Sequence, residues 1–230
     1  SPAAPPEITL SFDNGPEPEA TPLVLDILRQ RGLRATFFVI GEKLQDRARR
    51  ALAERARAEG HWIGNHTFTH ASPLGDRRDP GHAAREIART EVLIGTLAHP
   101  GRLFRPVGGG GRLGPHLLSA EARDHLAAHR HTVVTWSVVP GDWHDADGWA
   151  ARGFAACMGQ ARPVLVLHDL PGGAMRHLDA FLGRLAEAGA RFRQDFPDSC
   201  LPMRAGRASA ALAGLVQAAP PEAGRSCPAA

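Results

Sequence analysis

The chain has 230 residues, of which 43% are hydrophobic and 22% are charged, as is usual for a globular protein with one sizeable core. Its net charge of +3 comes almost entirely from arginine, because Lys43 is the only lysine, and the arginines are interspersed with Asp and Glu. The lack of a basic block argues against nucleic-acid binding, and the lack of a long apolar run argues against a transmembrane segment.

Short apolar segments alternate with amphipathic ones along most of the chain. The first, 8–13, is a predicted strand that stops at Asn14-Gly15-Pro16, a sequence that cannot extend it. Further strands are predicted over 35–40, 62–65, 103–106, 132–138 and 164–167. Apolar residues at helical spacing predict helices over 21–31, 46–59, 83–97, 115–128, 149–160 and 174–188, with a loop over 72–82. This alternation indicates a parallel α/β sheet with enough units to approach a barrel.

The sequence divides into one domain and two polar ends. Residues 1–6 are expected to be a disordered segment, which is typical of the start of a mature exported chain, although a cloning boundary explains it equally well. Residues 7–196 form the single domain. The Pro/Ala/Arg-rich tail over 197–230 contains one short predicted helix near 208–218. A disulfide between Cys200 and Cys227 is our hypothesis for how this tail is held.

Several polar side chains fall at or just after the ends of predicted strands. In a parallel sheet or barrel this position places them together on one rim, where α/β folds carry their active sites. They are Asp13, His66, His70, Arg105, Asp142, Trp143 and His168.

The spacing of His66 and His70 puts two imidazoles on one face of a helical turn, which suits a metal ion. His125 and His129 share that spacing, but they lie within an ordinary amphipathic helix and are interpreted as solvated surface. The first pair differs because it follows a strand and is flanked by Thr67 and Thr69.

Five motifs occur in a fixed order, and together they resemble the polysaccharide deacetylase (NodB homology) family, carbohydrate esterase family 4. They read Ser-Phe-Asp-Asn-Gly-Pro from residue 11, His-Thr-Phe-Thr-His from 66, Phe-Arg-Pro from 104, Gly-Asp-Trp from 141 and Val-Leu-His-Asp from 166. The resemblance implies a distorted (β/α) barrel over residues 7–196. It also implies metal-assisted hydrolysis of acetyl groups on an N-acetylated glycan, with zinc the expected ion and an exported location.

The resemblance also implies a role for each matched residue. Asp13 corresponds to the general base, Arg105 to the residue that holds it, and His168 to the general acid. Asn14, His66 and His70 correspond to the metal ligands. The residues matched to the substrate site are Trp143, Asp142, Gly108 and Leu167.

Three of the motifs depart from the family's pattern. Asn14 stands where the family has a metal-binding aspartate, although members that act on N-acetylmuramic acid in peptidoglycan also read Phe-Asp-Asn-Gly. Val107 and Gly108 replace a proline-aromatic pair, and Gly108 keeps the backbone N–H expected to face the oxyanion. Val139 replaces the aspartate that tunes the acid histidine, a task left open to Asp142, Asp145 or Asp169. A family member that binds glycan without turnover, or a deacetylase of a small amide, therefore remains an alternative, as does hydrolysis of an acetyl ester.

Overall fold

The computed structural model describes residues 4–218. Within them, six α-helices and nine strands alternate as the sequence predicts for most of the chain. The strands are β1 Glu7–Asp13, β2 Thr36–Val39, β3 Trp62–Asn65, β4 Leu103–Phe104, β5 Thr132–Val133, β6 Val164–His168, β7 Arg191–Arg193, β8 Met203–Arg204 and β9 Arg207–Ala208. The helices are α1 Thr21–Arg31, α2 Arg47–Ala58, α3 His82–Ile94, α4 Ala120–Ala128, α5 Trp149–Met158 and α6 Leu178–Glu187.

Strand β1 pairs with three neighbours, β2, β6 and β7. The order is β6-β1-β2-β3-β4-β5, all parallel, continued by the antiparallel pair β8 and β9, while β7 pairs with the first half of β1. Buried apolar side chains cover both faces, as expected for a parallel sheet whose helices pack on its surfaces. The predicted mixed α/β class is therefore confirmed.

The segment predicted as one strand over 132–138 is divided by a change of partner. Thr132–Val133 pairs with β4, whereas Val138 forms an isolated parallel bridge with Leu165 of β6. Two hydrogen bonds support this bridge, from Val138 N to Val164 O at 3.0 Å and from Val166 N to Val138 O at 2.9 Å. The ladder of named strands is open between β5 and β6, and within the described residues this segment joins β6 through the single bridge at Val138.

Local signals account for several helix ends. Asp46 accepts a hydrogen bond from Arg49 N and begins α2, and Gly32 ends α1 with a positive φ of 66°. The helix predicted over 115–128 is shorter, because Pro115–Leu117 forms a 3-10 turn and Ser119 then caps α4. A second 3-10 turn, Gly41–Gln45, was not anticipated from the sequence.

Both polar ends make contacts where they are described. Pro6 is buried and its carbonyl accepts a hydrogen bond from Arg191 N at 2.9 Å. Residues 197–218 pack on the sheet through β8 and β9, with Cys200, Met203 and Leu212 in the core. The short helix expected near 208–218 is a 3-10 turn over Ala210–Leu215. Cys227 lies outside the described residues, so the structure does not test the hypothesis of a disulfide between Cys200 and Cys227.

Candidate active site

The carboxyl ends of the parallel strands meet at one edge, as the sequence predicts. Strand register puts Asp13 at the end of β1 directly beside His168 at the end of β6. His66 follows β3, and Arg105 follows β4, where its backbone N–H donates to Asn65 O at 2.8 Å. The fold thus brings together residues separated by more than 150 positions in the chain.

A cavity of about 360 Å³ lies at these strand ends and is large enough to hold part of a glycan. Seven of the ten site residues expected from the sequence line it: Asp13, Asn14, His66, His70, Gly108, Trp143 and His168. Arg105, Asp142 and Leu167 do not line it. Arg105 and Asp142 are buried behind the wall, and Leu167 is buried beside Phe12 within the sheet, whereas Leu170 reaches the cavity.

Arg105 is fully buried and holds Asp13. Its Nη1 donates to Asp13 Oδ1 at 3.0 Å and to Ser11 Oγ at 2.6 Å, while Nη2 donates to Thr135 O at 3.0 Å. Burial alone would raise the pKa of Asp13, but the opposite charge of Arg105, with contributions from His66 and His168, lowers it below its ordinary value. Asp13 is therefore a carboxylate at neutral pH.

His168 has the opposite arrangement. Its Nδ1 donates to Asp142 Oδ1 at 2.8 Å, and its backbone N–H donates to Asp142 Oδ2 at 2.7 Å. Burial lowers the pKa of His168, but the hydrogen bond and charge of Asp142, with contributions from Asp13 and Asp169, together outweigh burial, and the net shift is upward. Of the three aspartates considered as replacements for the residue at Val139, Asp142 is the one in contact with this imidazole.

His66 and His70 present neutral imidazoles, with ring centroids 5.0 Å apart. Burial, the largest influence on both, lowers the pKa of His66 to about 4 and also lowers that of His70. His66 Nδ1 donates to the Arg105 carbonyl at 2.7 Å, because a carbonyl can only accept, and its Nε2 keeps a lone pair. A hydrogen-bonded Nδ1 and a free Nε2 are typical of a metal-binding histidine.

Asn14 supplies a third donor atom. Its side-chain Oδ1 is buried and has no hydrogen-bond partner among the described residues, although a buried amide oxygen normally has one. No cluster of three or more His, Cys, Asp or Glu side chains within residues 4–218 is arranged to hold a metal ion. A metal site here would therefore depend on the unpaired Asn14 oxygen in addition to the two imidazoles, and this donor set fits a divalent cation.

One supporting residue, Glu86, was missed in the sequence. Glu86 of α3 is buried and accepts hydrogen bonds from Phe68 N, Thr69 N and Thr69 Oγ1, at 2.8, 2.8 and 2.7 Å. It thereby holds the loop that carries His66 and His70. Its signal was a carboxylate on the helix face that otherwise carries buried apolar side chains.

Asp169, which the sequence offered as a possible partner of His168, has a different supporting role. Its Oδ2 accepts from Thr21 Oγ1 at 2.6 Å, and burial raises its pKa to about 7. A Cβ on Gly15 would lie 2.1 Å from Asp169 Oδ2, so the turn after β1 requires glycine at this position. The carboxyl of Asp169 thus packs behind the turn rather than against His168.

The glycine run 108–111 forms a rim of the cavity. Gly109, Gly110 and Gly111 have positive φ angles of 59°, 102° and 91°, which other residues rarely adopt. Trp136 Nε1 donates to Gly111 O at 2.8 Å and fixes the run from below. Trp143 also lines the cavity and is 46% exposed, with its ring 5.2 Å from that of His168.

The second histidine pair, His125 and His129, does not line this cavity. His125 lies in α4, and His129 caps the C-terminal end of that helix. Their ring centroids are 4.2 Å apart, and His129 is exposed. They line a separate cavity and provide an internal comparison for the first pair.

No helix within residues 4–218 has the length and apolar character needed to cross a membrane.

The chain is similar to proteins of one known family. A family model described as Polysaccharide deacetylase matches residues 1–131. The chain is 31% identical over 193 residues to a peptidoglycan-N-acetylglucosamine deacetylase of Bacillus cereus, an alignment that covers 81% of this chain and 66% of that protein. It is 36% identical over 165 residues to a chitooligosaccharide deacetylase of Rhizobium leguminosarum bv. phaseoli, covering 71% and 68%. The chain thus spans about two thirds of the length of these curated relatives, and slightly less than that for the first.

The fold has solved counterparts. A family 4 carbohydrate esterase from Streptomyces lividans, in complex with acetate, superimposes with a TM-score of 0.68 at 27% identity, covering 88% of this chain and 98% of that one. Sequence, motif order and fold agree, and the chain belongs to the polysaccharide deacetylase family, carbohydrate esterase family 4.

Proposed function

We propose that this protein is a metal-dependent hydrolase that removes acetyl groups from an N-acetylated glycan. The observation that carries the proposal is the pairing of Asp13 with His168 on neighbouring strands, where both side chains open into one cavity. Amide hydrolysis needs a base for the attacking water and an acid for the departing amine. One carboxylate and one imidazole at adjacent strand ends can perform these two tasks.

Asp13 acts as the base. Its carboxylate accepts a proton from the water that attacks the acetyl carbonyl, and Arg105 keeps it ionised and oriented. Because the guanidinium is itself fixed by Ser11 and Thr135, Asp13 is held in one position before substrate arrives. Such preorganisation lowers the cost of reaching the transition state.

His168 acts as the acid. Because the Nδ1–H donates its hydrogen bond to Asp142, the Nε2–H of the protonated ring is not engaged by that carboxylate and is available to the sugar nitrogen. The C–N bond breaks as this proton is transferred, and the products are acetate and a free amine. The Asp142 pairing supports turnover, because it supplies the carboxylate that the change at Val139 removes.

Asn14, His66 and His70 would hold a divalent ion, with zinc the expected species. When bound, such an ion supplies Lewis-acid activation of the acetyl carbonyl and of water. An amide oxygen carries no charge, so this donor set should bind the ion more weakly than one that includes a carboxylate.

The substrate class follows from the relatives. The Bacillus cereus and Rhizobium proteins are named for peptidoglycan N-acetylglucosamine and for chitooligosaccharides, and both substrates present N-acetyl groups on a sugar polymer. We infer that this chain acts on such a glycan, and outside the cytoplasm where cell-wall glycan occurs. Trp143 offers an exposed aromatic face at the cavity rim, on which a sugar ring can pack.

Acetate release from chitooligosaccharides and from isolated peptidoglycan tests this proposal. We expect Asp13→Asn and His168→Gln each to lower kcat by roughly 10²–10⁴-fold, the usual range for loss of an acid or base. Chelation and His70→Ala should also abolish release. His129→Ala is the matched control, since it removes one histidine of an equally spaced pair away from the cavity.

Two outcomes would contradict the proposal. Acetate release unaffected by His168→Gln would exclude the acid assigned here. Glycan binding without acetate release from either substrate would favour the non-catalytic alternative.

A further inference from the structure

The end of β2 and the turn after it lie between the two loops that carry the proposed metal ligands. Ile40 N donates to Gly15 O at 3.1 Å, on the Asn14 side. Gly41 N donates to Thr67 O at 2.8 Å and Glu42 N to Phe68 O at 3.0 Å, on the histidine side. Residues 40–43, which we call the bridging turn, therefore set the separation of these loops through backbone hydrogen bonds.

The bridging turn ends at Lys43, the only lysine in the chain. Its Nζ donates to the backbone carbonyl of Asn14 at 2.6 Å and pairs with Glu17 Oε1 at 2.7 Å. The side chain of Lys43 is 21% exposed and that of Glu17 is 12% exposed, so neither is free in solvent. One ammonium group thus joins the bridging turn to both ends of the turn 14–17.

The conformation of Asn14 needs such support. Its φ of 82° lies in the left-handed region, which asparagine tolerates better than most residues but still adopts at some cost. Its backbone N–H donates to Phe38 O at 3.2 Å, and its carbonyl accepts from Lys43. Both backbone groups of Asn14 are thus held by hydrogen bonds, whereas its buried side-chain Oδ1 has no hydrogen-bond partner among the described residues.

The charge of Lys43 is balanced locally. Burial raises the pKa of Glu17, but Lys43 and Arg49 together outweigh burial and lower it, so Glu17 is a carboxylate at neutral pH. Glu17 Oε2 also accepts from Arg49 Nη2 at 3.0 Å. Since Lys43 and Glu17 are in direct contact, the effect of Lys43 on a nearby cation should come from geometry more than from charge.

We propose that Lys43 is a positioning residue that fixes the left-handed turn at Asn14 and thereby sets the affinity of the Asn14–His66–His70 site for a divalent ion. This inference rests on the metal site of the proposed function. A fixed ligand binds more tightly than one that must be ordered on binding, and residues that orient metal ligands typically contribute 10–100-fold in affinity.

Arg49 provides a matched control. It is the second cation on Glu17, it is about one third exposed, and it has no described contact with Asn14. Lys43→Met and Arg49→Met therefore remove one positive partner each from the same carboxylate, and only the first also removes the hydrogen bond to the Asn14 carbonyl.

Two measurements on the metal-stripped full chain test the proposal. Zinc titration by calorimetry should show affinity about 10–100-fold weaker in Lys43→Met and within twofold of wild type in Arg49→Met. Amide hydrogen exchange followed by NMR should be on the order of tenfold faster at Asn14 and Ile40 in Lys43→Met only, as expected for losing one charge-assisted hydrogen bond. Equal melting temperatures of the two variants would separate these effects from a general loss of stability.

Two results would overturn the proposal, and a third would refute the metal site on which it rests. Equal zinc affinity and equal exchange in the two variants would show that the Asn14 turn does not need Lys43. Tighter zinc binding in Lys43→Met would show that the ammonium acts by repulsion. Failure of wild-type protein to bind zinc would refute the metal site of the proposed function, and the exchange measurement would still decide whether Lys43 holds the turn.

Discussion

Replacing Arg105 with methionine tests how the base is held. Methionine keeps much of the apolar stem volume but removes every donor of a guanidinium that has no solvent exposure. Asp13 loses its ion-pair partner, and the carbonyls of Val134 and Thr135 lose donors at 3.3 and 3.0 Å. The stacking of the guanidinium over Phe38, 4.2 Å from the ring centroid, is lost as well.

The expected cost is large because a charge is left buried without compensation. Breaking a buried ion pair by removing one partner typically lowers the free energy of unfolding by about 3–5 kcal/mol. In a chain of this length that loss corresponds to roughly 6–20 °C in melting temperature, at about 2–4 °C for each kcal/mol. Asp13→Asn combined with Arg105→Met should recover part of the loss, because it removes the orphaned charge.

The pH dependence of this loss has a definite sign. The pKa of Asp13 is lowered in the folded protein, so its pairing contributes stability above the pKa of the unfolded chain, and this contribution disappears as pH falls through the folded value. The difference between wild type and Arg105→Met should therefore be greatest at neutral pH and shrink in acid.

Urea unfolding of wild type, Arg105→Met and the double variant at several pH values measures these quantities. A loss below about 1 kcal/mol for Arg105→Met would refute the reasoning, because an exposed pair would cost no more than that. A double variant no more stable than Arg105→Met would also refute it.

Three further predictions concern the groups around the reacting residues. Asp142→Asn removes the carboxylate that raises the pKa of His168, so the fall in activity on the alkaline limb of the pH–rate profile should begin at a lower pH. An unchanged pH–rate profile would contradict this pairing. Glu86→Ala leaves the buried donors of the 66–70 loop unpaired and should lower the free energy of unfolding by about 2–4 kcal/mol in a urea titration, where a neutral result would contradict its role. Asn14→Asp adds a charged ligand, and calorimetry should show zinc binding at least about tenfold tighter; equal or weaker binding would exclude this residue as a ligand.

The order of elements and the identity of the titratable residues that line the cavity could be predicted from the sequence. Apolar periodicity and glycine stops located α1, α2 and the strands that end at Asp13 and His168. These signals are local, because a helix cap or a strand stop depends on a few neighbouring residues. Motif order then pointed to the residues proposed as base and acid and to both histidines of the proposed metal site, and all of these line one cavity.

Tertiary structure decided which side chains support that site. The sequence left three candidates for the partner of His168, and only the approach of the segment after β5 to β6 singles out Asp142. Glu86 and Lys43 belong to a helix and a turn whose own patterns are ordinary, and their importance depends on the loops packed against them.

The same reason explains where the fold differs from the elements predicted from the sequence. The segment 132–138 has uniform strand propensity, but it changes partner from β4 to β6, and residues 197–218 have tail-like composition yet pack on β5. Propensity is set by each residue and its neighbours, whereas pairing depends on which distant segment is within hydrogen-bonding reach. The sequence of this protein therefore determined the chemistry presented at the strand ends, and long-range packing determined how each reacting group is held.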